Sequence, residues 1–305
     1  MTDGMLVESG ALALVAGSGD LPRLIAEDRR RQGLPLLVVR FEGVHAPWAD
    51  GMDVLDLPFE KPGRLFKAMK AKGCDRVCFA GGMTRPRLDP LRFDLKALGL
   101  AVKALALLKK GDDAMLRGFA SIFESEGYRM VAAQDLLEGM LAPEGVFGAV
   151  QPSDQDREDA LRAAAIVAAM GAVDVGQAAV VCDGICLGVE AIAGTDALLE
   201  EVARLPEGLR HGDAGGVLLK GPKPGQDWRM DLPAIGPETV RRAALAGLAG
   251  ICVEAGAVLV LGREETVRAA DEAGLFLWGR PSAAEAPLDP DAAAPASPPT
   301  EAPSA

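Results

Sequence analysis

Short, continuously apolar runs alternate with helix-forming segments along the first 140 residues, and this alternation constrains the fold more than any other feature. Five apolar runs predict strands, at 12–16, 35–40, near 54, at 76–80 and at 128–133. Four segments between them predict helices, at 22–32, 62–72, 94–109 and 113–126. Fully apolar strands separated by amphipathic helices are typical of a parallel sheet covered on both faces. Residues 1–140 are therefore predicted to form an α/β, Rossmann-like layer domain.

The second half of the chain has a different pattern. Residues 141–154 are rich in proline and glycine and are predicted to be a linker. Beyond them, a hairpin is expected at 177–191 around Asp183-Gly184, a pair typical of type I′ turns. Helices at 155–170, 237–248 and 263–273 alternate with strands near 216–220, 251, 259 and 275–278. Residues 155–279 are thus predicted to form a mixed α/β domain.

Residues 280–305 consist largely of Ala, Pro, Ser, Asp and Glu. Such a composition does not bury enough apolar surface to offset the entropy of ordering, so a disordered tail is expected. The N-terminus has no signal-peptide pattern, and no apolar stretch reaches the ~20 residues that span a bilayer. The sequence therefore predicts a soluble, cytoplasmic protein.

Charge and residue usage exclude several function classes. A formal net charge of −12 disfavours nucleic acid as a partner, because binding its phosphates requires clustered cations. The five cysteines are an odd number and lie mostly in apolar runs, which predicts reduced, buried thiols rather than zinc ligands. With only His45 and His211, neither a histidine-rich dinuclear site nor a Ser-His-Asp triad is indicated. Any metal would be held by carboxylates and water, which favours Mg²⁺ or Mn²⁺.

The loop at 220–239 has the most unusual composition in the chain. It joins a predicted buried strand to a predicted helix, and it combines cations and carboxylates with four prolines and three glycines. Stiff polar loops at strand ends often carry function. Cations such as Lys220 and Lys223 suit phosphate oxygens, and Asp227 and Asp231 are the leading candidates for a hard metal ion. The alternative is that these aspartates only form salt bridges with Lys223 and Arg229.

Two glycine-rich turns follow predicted strands in the first domain. Gly17-Ser-Gly-Asp20 lies between a strand and a helix, where a phosphate can bind a helix N-terminus, and Gly81-Gly-Met-Thr84 is a second strand exit. Because parallel strands end at one edge of the sheet, both turns are expected to flank a single nucleotide crevice, near Gln134 at the end of a third strand. The alternative is a pair of tight turns without a ligand.

Two further turns allow two interpretations each. Gly194-Thr-Asp196 caps a predicted helix, and Thr195 is either only a cap or a ligand for a phosphate oxygen. Gly111-Asp-Asp113 is either a helix stop followed by an N-cap or part of a site.

Together, six motifs resemble the UDP-2,3-diacylglucosamine pyrophosphatase family of lipid A biosynthesis, in its two-domain form without metallophosphoesterase histidines. They are Ala16-Gly-Ser-Gly-Asp-Leu-Pro22, Gly81-Gly-Met-Thr84, Gly111-Asp-Asp113, Glu190-Ala-Ile-Ala-Gly-Thr-Asp196, Lys223-Pro-Gly-Gln-Asp-Trp-Arg229 and Asp231-Leu-Pro-Ala-Ile-Gly236. The resemblance extends from about residue 11 to 279, and the block at 223–236 is its most specific part.

The resemblance implies hydrolysis of UDP-2,3-diacylglucosamine to UMP and 2,3-diacylglucosamine 1-phosphate, with water attacking the phosphorus nearer the sugar. It implies Mg²⁺ dependence, a substrate held between two domains, and a homodimer formed through the C-terminal catalytic domain. It is also compatible with a peripheral contact at the inner membrane. Asp227 would be the key catalytic residue, assisted by Lys223, and Asp227 and Asp231 would hold the metal.

The substrate-binding residues expected on these grounds are Gly17, Ser18, Gly19, Gly81, Gly82, Met83, Thr84, Gln134, Thr195, Lys220 and Gln226. Two other functions compete with this interpretation. One is a Rossmann-type NAD(P)-dependent oxidoreductase, with Glu42 as the ribose-binding acid, although Pro22 replaces the third glycine of the dinucleotide fingerprint. The other is a non-catalytic carrier of an acylated sugar nucleotide.

Overall fold

The computed structural model describes residues 10–83, 88–97, 99, 112–206, 209 and 215–281. Five features discussed above lie wholly or largely outside these residues: Thr84, Gly111, His211, most of the predicted helix at 94–109, and the predicted tail from residue 282 onward.

The first domain is built on a five-stranded parallel sheet. Its strands are β1 (Ala11–Ala16), β2 (Leu36–Phe41), β3 (Val54–Leu57), β4 (Cys74–Ala80) and β5 (Arg129–Met130), in the order β3-β2-β1-β4-β5. The described helices are α1 (Leu21–Arg31), α2 (Pro62–Ala71), α3 (Asp112–Ser125) and the short α4 (Ala133–Leu136). Single 3-10 turns occupy Pro47–Ala49 and Pro90–Arg92. This topology confirms the predicted Rossmann-like layer domain.

Strand β1 shows why the apolar runs had to form a sheet with two covered faces. All six of its residues are buried. Ala13 and Val15 face a cluster that contains α2 and α3 side chains, whereas Leu12 and Leu14 face a cluster that contains Ile25 of α1. Because successive side chains of a strand point to opposite faces, a strand without polar positions requires a packed layer on each side.

The second domain contains a six-stranded mixed sheet. Its elements are β6 (Gly145–Val146), α5 (Asp154–Gly171), β7 (Ala178–Cys182), β8 (Ile185–Val189), α6 (Gly194–Ala203), β9 (Val217–Lys220), β10 (Ala234–Ile235), α7 (Pro237–Leu245), β11 (Gly250–Glu254), β12 (Leu259–Val260), α8 (Arg263–Ala273) and β13 (Phe276–Arg280). The sheet order is β6-β13-β11-β9-β7-β8, and β10 pairs separately with β12. Strands β13, β11 and β9 are parallel, whereas β6, β7 and β8 pair antiparallel with their neighbours. The predicted mixed α/β domain is confirmed.

The boundaries of this domain differ in detail from those expected. The proline- and glycine-rich stretch at 141–154 supplies edge strand β6, which pairs with β13. At the other end, Arg280 was assigned to the tail by composition. It is instead buried and ends β13, and its carbonyl oxygen accepts a hydrogen bond from the backbone N–H of Ala255 at 2.8 Å. Strand pairing, which composition does not reveal, thus extends the second domain beyond the expected boundary at each end.

The hairpin between β7 and β8 turns at Asp183-Gly184 as predicted. Both residues have positive φ angles, 48° and 76°. The side chain of Asp159 on α5 accepts hydrogen bonds from both backbone N–H groups, at 2.9 and 2.7 Å, and fixes the turn to the helix below it. This geometry is typical of the tight turns that join antiparallel strands.

All five cysteines are free thiols, and Cys186 alone among them is exposed. Burial raises the pKa of the Cys78 thiol to about 12, which leaves it protonated and unreactive. Within the described part of the chain, no helix is both long enough and apolar enough to cross a membrane.

Candidate functional site

The two glycine-rich turns of the first domain meet at the carboxyl edge of the sheet. Ser18 and Gly82 form an antiparallel bridge: the N–H of Ser18 donates to the Gly82 carbonyl at 2.8 Å, and the N–H of Gly82 donates to the Ser18 carbonyl at 3.0 Å. The Ser18 hydroxyl also donates to the Gly82 carbonyl at 3.1 Å. The turns therefore form one structure beside neighbouring strands β1 and β4, as the sequence predicted.

The close approach of these turns explains two of the glycines without a ligand. A Cβ atom at Gly17 would lie 2.4 Å from the carbonyl oxygen of Gly82. Gly81 has a φ of +86°, and a Cβ atom there would lie 2.3 Å from the Ser18 carbonyl oxygen. Gly19 also has a positive φ, +90°, but open space surrounds its Cβ position. Packing between the turns thus requires Gly17 and Gly81.

The loop after β9, residues 221–236, reaches from the second domain onto the first. Met230 is buried and belongs to the apolar cluster of the first domain, beside Phe79 and Phe123. Three polar contacts accompany it. Gln134 Nε2 donates to the Trp228 carbonyl at 3.3 Å, Arg117 to the Gly225 carbonyl at 2.8 Å, and Arg229 to Glu124 Oε1 at 2.9 Å. The loop therefore attaches the two domains to each other at the edge where the glycine turns lie.

Asp227 is held by its neighbour Arg229. The Arg229 guanidinium donates from Nε to Oδ1 at 3.0 Å and from Nη2 to Oδ2 at 2.8 Å, and the backbone N–H of Arg229 also donates to Oδ1. These hydrogen bonds, more than charge attraction alone, lower the pKa of Asp227 and keep its carboxylate ionised. The sequence analysis gave a salt bridge with Arg229 as one alternative to metal binding, and this salt bridge is present. Asp227 lines neither of the two cavities described below, whereas its partner Arg229 lines one of them.

Asp231 lies one turn after Asp227, and the backbone N–H of Asp231 donates to the Asp227 carbonyl at 3.2 Å. Its carboxylate accepts a hydrogen bond from Gln226 Nε2 at 3.0 Å. Asp231 remains open to the cleft, although protein surrounds it on most sides. This desolvation raises the pKa of Asp231, and the charges of Lys220 and Lys223 oppose the rise.

Lys220 and Lys223 have different environments. Lys220 is buried, and its ammonium group donates to Thr195 Oγ1 and to the Ala234 carbonyl, both at 2.9 Å. Burial lowers the pKa of Lys220, and the nearby charges of Glu190 and Asp231 oppose this shift. The Lys223 ammonium instead pairs with Asp174 at 2.5 Å. Of the two lysines, Lys220 has the stronger electrostatic link to Asp231.

Thr195 connects Lys220 to a buried carboxylate. Its hydroxyl accepts from Lys220 and donates to Glu190, so both of its hydrogen-bonding roles are occupied. Thr195 therefore lies close to the start of the loop, through its hydrogen bond with Lys220. In the described geometry it orients the lysine.

Two cavities share the edge defined by the turns and the loop. A cavity of about 220 Å³ lies between the domains and is lined by Ser18, Gly19, Gln134, Trp228, Arg229 and Asp231, among others. A second cavity of about 320 Å³ lies in the first domain and is mostly apolar, with walls that include Phe41, Phe66, Met83, Met115, Phe119 and Phe123. Phe79, Gly81, Gly82, Met230 and Asp231 line both cavities. The smaller cavity, called the polar cavity below because Asp20, Gln134, Arg229 and Asp231 line part of it, is thus contiguous with the apolar cavity.

Sequence reasoning did not locate the apolar cavity. One signal was present, because seven of the nine phenylalanines precede residue 140. Five of them form edge-to-face or stacked contacts with each other or with Tyr128: Phe66, Phe79 and Phe123 form one group, and Phe41 stacks on Phe59. Composition showed an aromatic-rich domain, but only the fold shows that these rings surround a space.

Glu42, on which the nicotinamide-cofactor interpretation depended, already binds another side chain. Glu42 lies just after β2, as a ribose-binding acid would, but it accepts a hydrogen bond from Arg92 at 2.7 Å. Among the described residues, no group of three or more His, Cys, Asp and Glu side chains converges to hold a metal. A metal at this site would therefore depend on one or two carboxylates, namely Asp227 and Asp231.

Comparison with known proteins identifies the family. The model of the LpxI N-terminal domain matches residues 11–140, and that of the LpxI C-terminal domain matches residues 143–278. A curated protein of Caulobacter vibrioides, named UDP-2,3-diacylglucosamine pyrophosphatase LpxI, is 43% identical over 271 residues, which cover 88% of this chain and 96% of the relative. The chain belongs to the LpxI family. The site described above lies within the matched residues and takes side chains from both LpxI domains.

Proposed function

We propose that the chain hydrolyses UDP-2,3-diacylglucosamine to UMP and 2,3-diacylglucosamine 1-phosphate, with the substrate bound between the two domains. The name of the Caulobacter relative supports this substrate. The observation that carries the proposal is the contact between the polar interdomain cavity and the apolar cavity along Gly81, Gly82 and Asp231. A molecule with a charged diphosphate next to two acyl chains requires such a pair of compartments.

The polar cavity suits the nucleotide and the diphosphate. Ser18, Gly19, Asp20 and Leu21 line it, so the N-terminus of α1 adjoins it. No side chain caps the N–H groups of this helix end. Free N–H groups and the helix dipole favour an anion there. The guanidinium of Arg229 on the opposite wall adds a cation that suits phosphate oxygens.

The apolar cavity suits an acyl chain. Its lining is dominated by Phe, Leu and Met side chains, and it begins where the diphosphate compartment ends. Each methylene group transferred from water to such a lining contributes about 0.8 kcal/mol. The binding energy of the acyl chains can thus hold the reacting phosphorus against the loop residues. It then orients the phosphorus for reaction and does not only raise the affinity for the substrate.

In the proposed reaction, the oxygen of water forms a bond to the phosphorus nearer the sugar. The bond from that phosphorus to the bridging oxygen breaks, and the bridging oxygen leaves with UMP. Asp227 is ionised and fixed by Arg229, so it can orient the water and accept its proton, or hold a metal ion. Arg229 lines the polar cavity and would offset the charge that builds on the phosphate oxygens, and buried Lys220 would add positive charge beside Asp231. Lys223, which contacts Asp174, would assist from the far side of the loop.

The donor set fits Mg²⁺. Asp227 and Asp231 lie four residues apart on one turn and present oxygen ligands only, which Mg²⁺ prefers over softer donors. Mg²⁺ commonly uses one or two carboxylates, several waters and substrate phosphates, so two protein ligands suffice. Mn²⁺ accepts the same ligands. A bound ion would neutralise phosphate charge during the displacement.

Two further properties belong to the proposal. The chain would act at the cytoplasmic side of the membrane as a homodimer formed through the second domain. Edge strand β8 supports this assembly, because Ile185 and Val189 on it are exposed large apolar residues. Analytical ultracentrifugation of the protein should give twice the chain mass, and a monomer at micromolar concentration would contradict it.

The function is tested by mixing the purified protein with UDP-2,3-diacylglucosamine in ¹⁸O-water and following UMP release. Label in the 2,3-diacylglucosamine 1-phosphate and none in UMP is the expected result. The Asp227→Asn variant, which keeps the size of the side chain, should lose at least about a hundredfold in kcat while its melting temperature stays close to that of the parent. Asp56→Asn, which changes a carboxylate held by Arg40 and lining neither cavity, is the control. No UMP from the parent protein, or normal turnover by Asp227→Asn, would overturn the proposal.

A further inference from the structure

The segment at 88–97, between β4 and α3, places large apolar side chains in water. Leu91 is 95% exposed and Leu95 is 89% exposed, and they are among the most exposed large apolar residues of the described chain. Single exposed leucines need no explanation. Two almost fully exposed leucines on one short segment do need an explanation.

This exposure is not the result of a loosely held chain. The backbone N–H of Asp89 donates to buried Glu60 at 2.9 Å, and the N–H of Leu91 donates to Asp89 Oδ1 at 2.9 Å. The carboxylate of Asp94 accepts from the N–H groups of Gly63 and Ala97, at 2.8 and 2.7 Å. Acidic side chains thus bind the segment to the domain, while the leucines point outward.

The inner side of the same segment forms part of the wall of the apolar cavity. Leu88, Phe93 and Ala97 line that cavity, together with Pro62, Leu65 and Phe66 of α2. The segment is therefore one layer of chain with the cavity on one side and the two leucines on the other.

The neighbouring helix adds positive charge. Between residues 61 and 72 the chain has five cations and no acid, although its formal net charge is −12. Arg64, Lys67 and Lys70 of α2 are exposed, and none of the ion pairs between described residues includes them. The start of α2 contacts the segment directly through Gly63 and Asp94. Three cations outside these ion pairs thus lie on the helix whose start contacts the leucine-bearing segment.

We propose that Leu91, Leu95, Arg64, Lys67 and Lys70 form a docking rim that binds the surface of an anionic phospholipid bilayer. Exposed leucines enter the acyl region just below the headgroups, and lysines and arginines beside them are attracted to anionic lipid. Charge complementarity and the shared wall with the apolar cavity both favour a bilayer as the occupant. This inference rests on the proposed function, since it deepens that function by placing the acyl cavity next to the membrane that holds a diacylated substrate.

Vesicle flotation tests the docking rim without using turnover. The full-length protein should float with vesicles of phosphatidylethanolamine and phosphatidylglycerol and remain at the bottom with vesicles of phosphatidylcholine alone. The Leu91→Glu/Leu95→Glu variant and the Arg64→Glu/Lys67→Glu variant should each bind the anionic vesicles at least about tenfold more weakly. Matched controls elsewhere on the surface, Leu245→Glu and Arg204→Glu, should float as the parent does.

Activity measurements separate this inference from the proposed function. With substrate dispersed in detergent, the rim variants should release UMP at the parental rate, because no rim side chain contacts the reacting groups. With substrate embedded in anionic vesicles they should be slower by a similar factor of about ten.

A parent protein that hydrolyses dispersed substrate but does not float would overturn the docking rim and leave the function standing. Flotation that survives in both rim variants, or that requires self-association of the chain, would also overturn it. Flotation without hydrolysis would support the rim and sink the function.

Discussion

At the scale of single residues, the contact between Asp227 and Arg229 decides the protonation of the candidate site. Hydrogen bonds from the guanidinium lower the pKa of Asp227. A carboxylate with a lowered folded pKa stabilises the protein above its ordinary pKa, and this contribution disappears as the pH falls through the lowered value. The site should therefore keep its charge, and its local order, in mildly acidic solution.

The Arg229→Gln variant tests this contact. Without the guanidinium, the pKa of Asp227 should rise toward its ordinary value, so the acid limb of the pH profile of kcat/KM should move to higher pH. The profile is measured by UMP release across mildly acidic to neutral buffers. Arg241→Gln removes a similar guanidinium–carboxylate contact, that with Glu238, at a distance from the cleft. It should leave the acid limb in place, and an unchanged limb in Arg229→Gln would show that another group controls it.

Gly81 and Gly19 form a matched pair for the paired turns, because both have a positive φ but only Gly81 meets backbone at its Cβ position. Gly19→Ala should lower the free energy of unfolding by about 1 kcal/mol, the usual cost of an unfavourable backbone region. Gly81→Ala should lower it by at least about 2 kcal/mol more, since the turns must move apart. Urea unfolding measures both values. Equal losses would mean that the bridge between Ser18 and Gly82 adjusts easily.

At the scale of elements, the loop at 221–236 joins the domains through the buried side chain of Met230 and three polar contacts. Met230→Ala leaves a space in the apolar cluster of the first domain and should lower the free energy of unfolding by about 2–5 kcal/mol. Trp228→Ala, in the same loop but 45% exposed, is the matched control and should cost less than about 1 kcal/mol. Chemical denaturation followed by circular dichroism gives both values. A loss in Met230→Ala no larger than that of the control would mean that the loop does not hold the domains together.

The elements were largely predictable from the sequence, and the reason is physical. A fully apolar run such as 12–16 favours a strand buried on both faces, and Asp183-Gly184 leaves little choice of turn. The two-residue strands β6 and β10 were not predicted, because their pairing depends on distant partners rather than on local pattern. For the same reason the proline-rich stretch at 141–154 was interpreted as a linker, although it contributes an edge strand.

The site was predictable only in part. The two turns could be placed together because strand ends of a parallel sheet share an edge. The loop follows a strand of the other sheet, so only the family resemblance placed it beside them. The pairing of Lys223 with Asp174 could not be predicted, since the two residues are 49 positions apart and Asp174 belongs to no motif. The apolar cavity could not be predicted either, because an unfilled space depends on how side chains distant in the sequence pack around it.

At the scale of the whole molecule, metal is expected to serve the reaction and not the fold. Chelation by EDTA should stop UMP release, and Mg²⁺ or Mn²⁺ should restore it. The melting temperature should stay nearly constant, because the described residues contain no cluster of three or more ligands that a metal could hold together. The Asp231→Asn variant should need a higher Mg²⁺ concentration for half-maximal rate. Full activity in EDTA would exclude metal assistance.

The position of Met230 also has a consequence for synthesis on the ribosome. The first domain ends near residue 140, yet a side chain of its own core is added about 90 residues later. Domains generally begin to fold in the order in which they are made. The nascent first domain therefore cannot complete its core until most of the second domain has been translated, and part of its aromatic interior stays exposed to solvent until then.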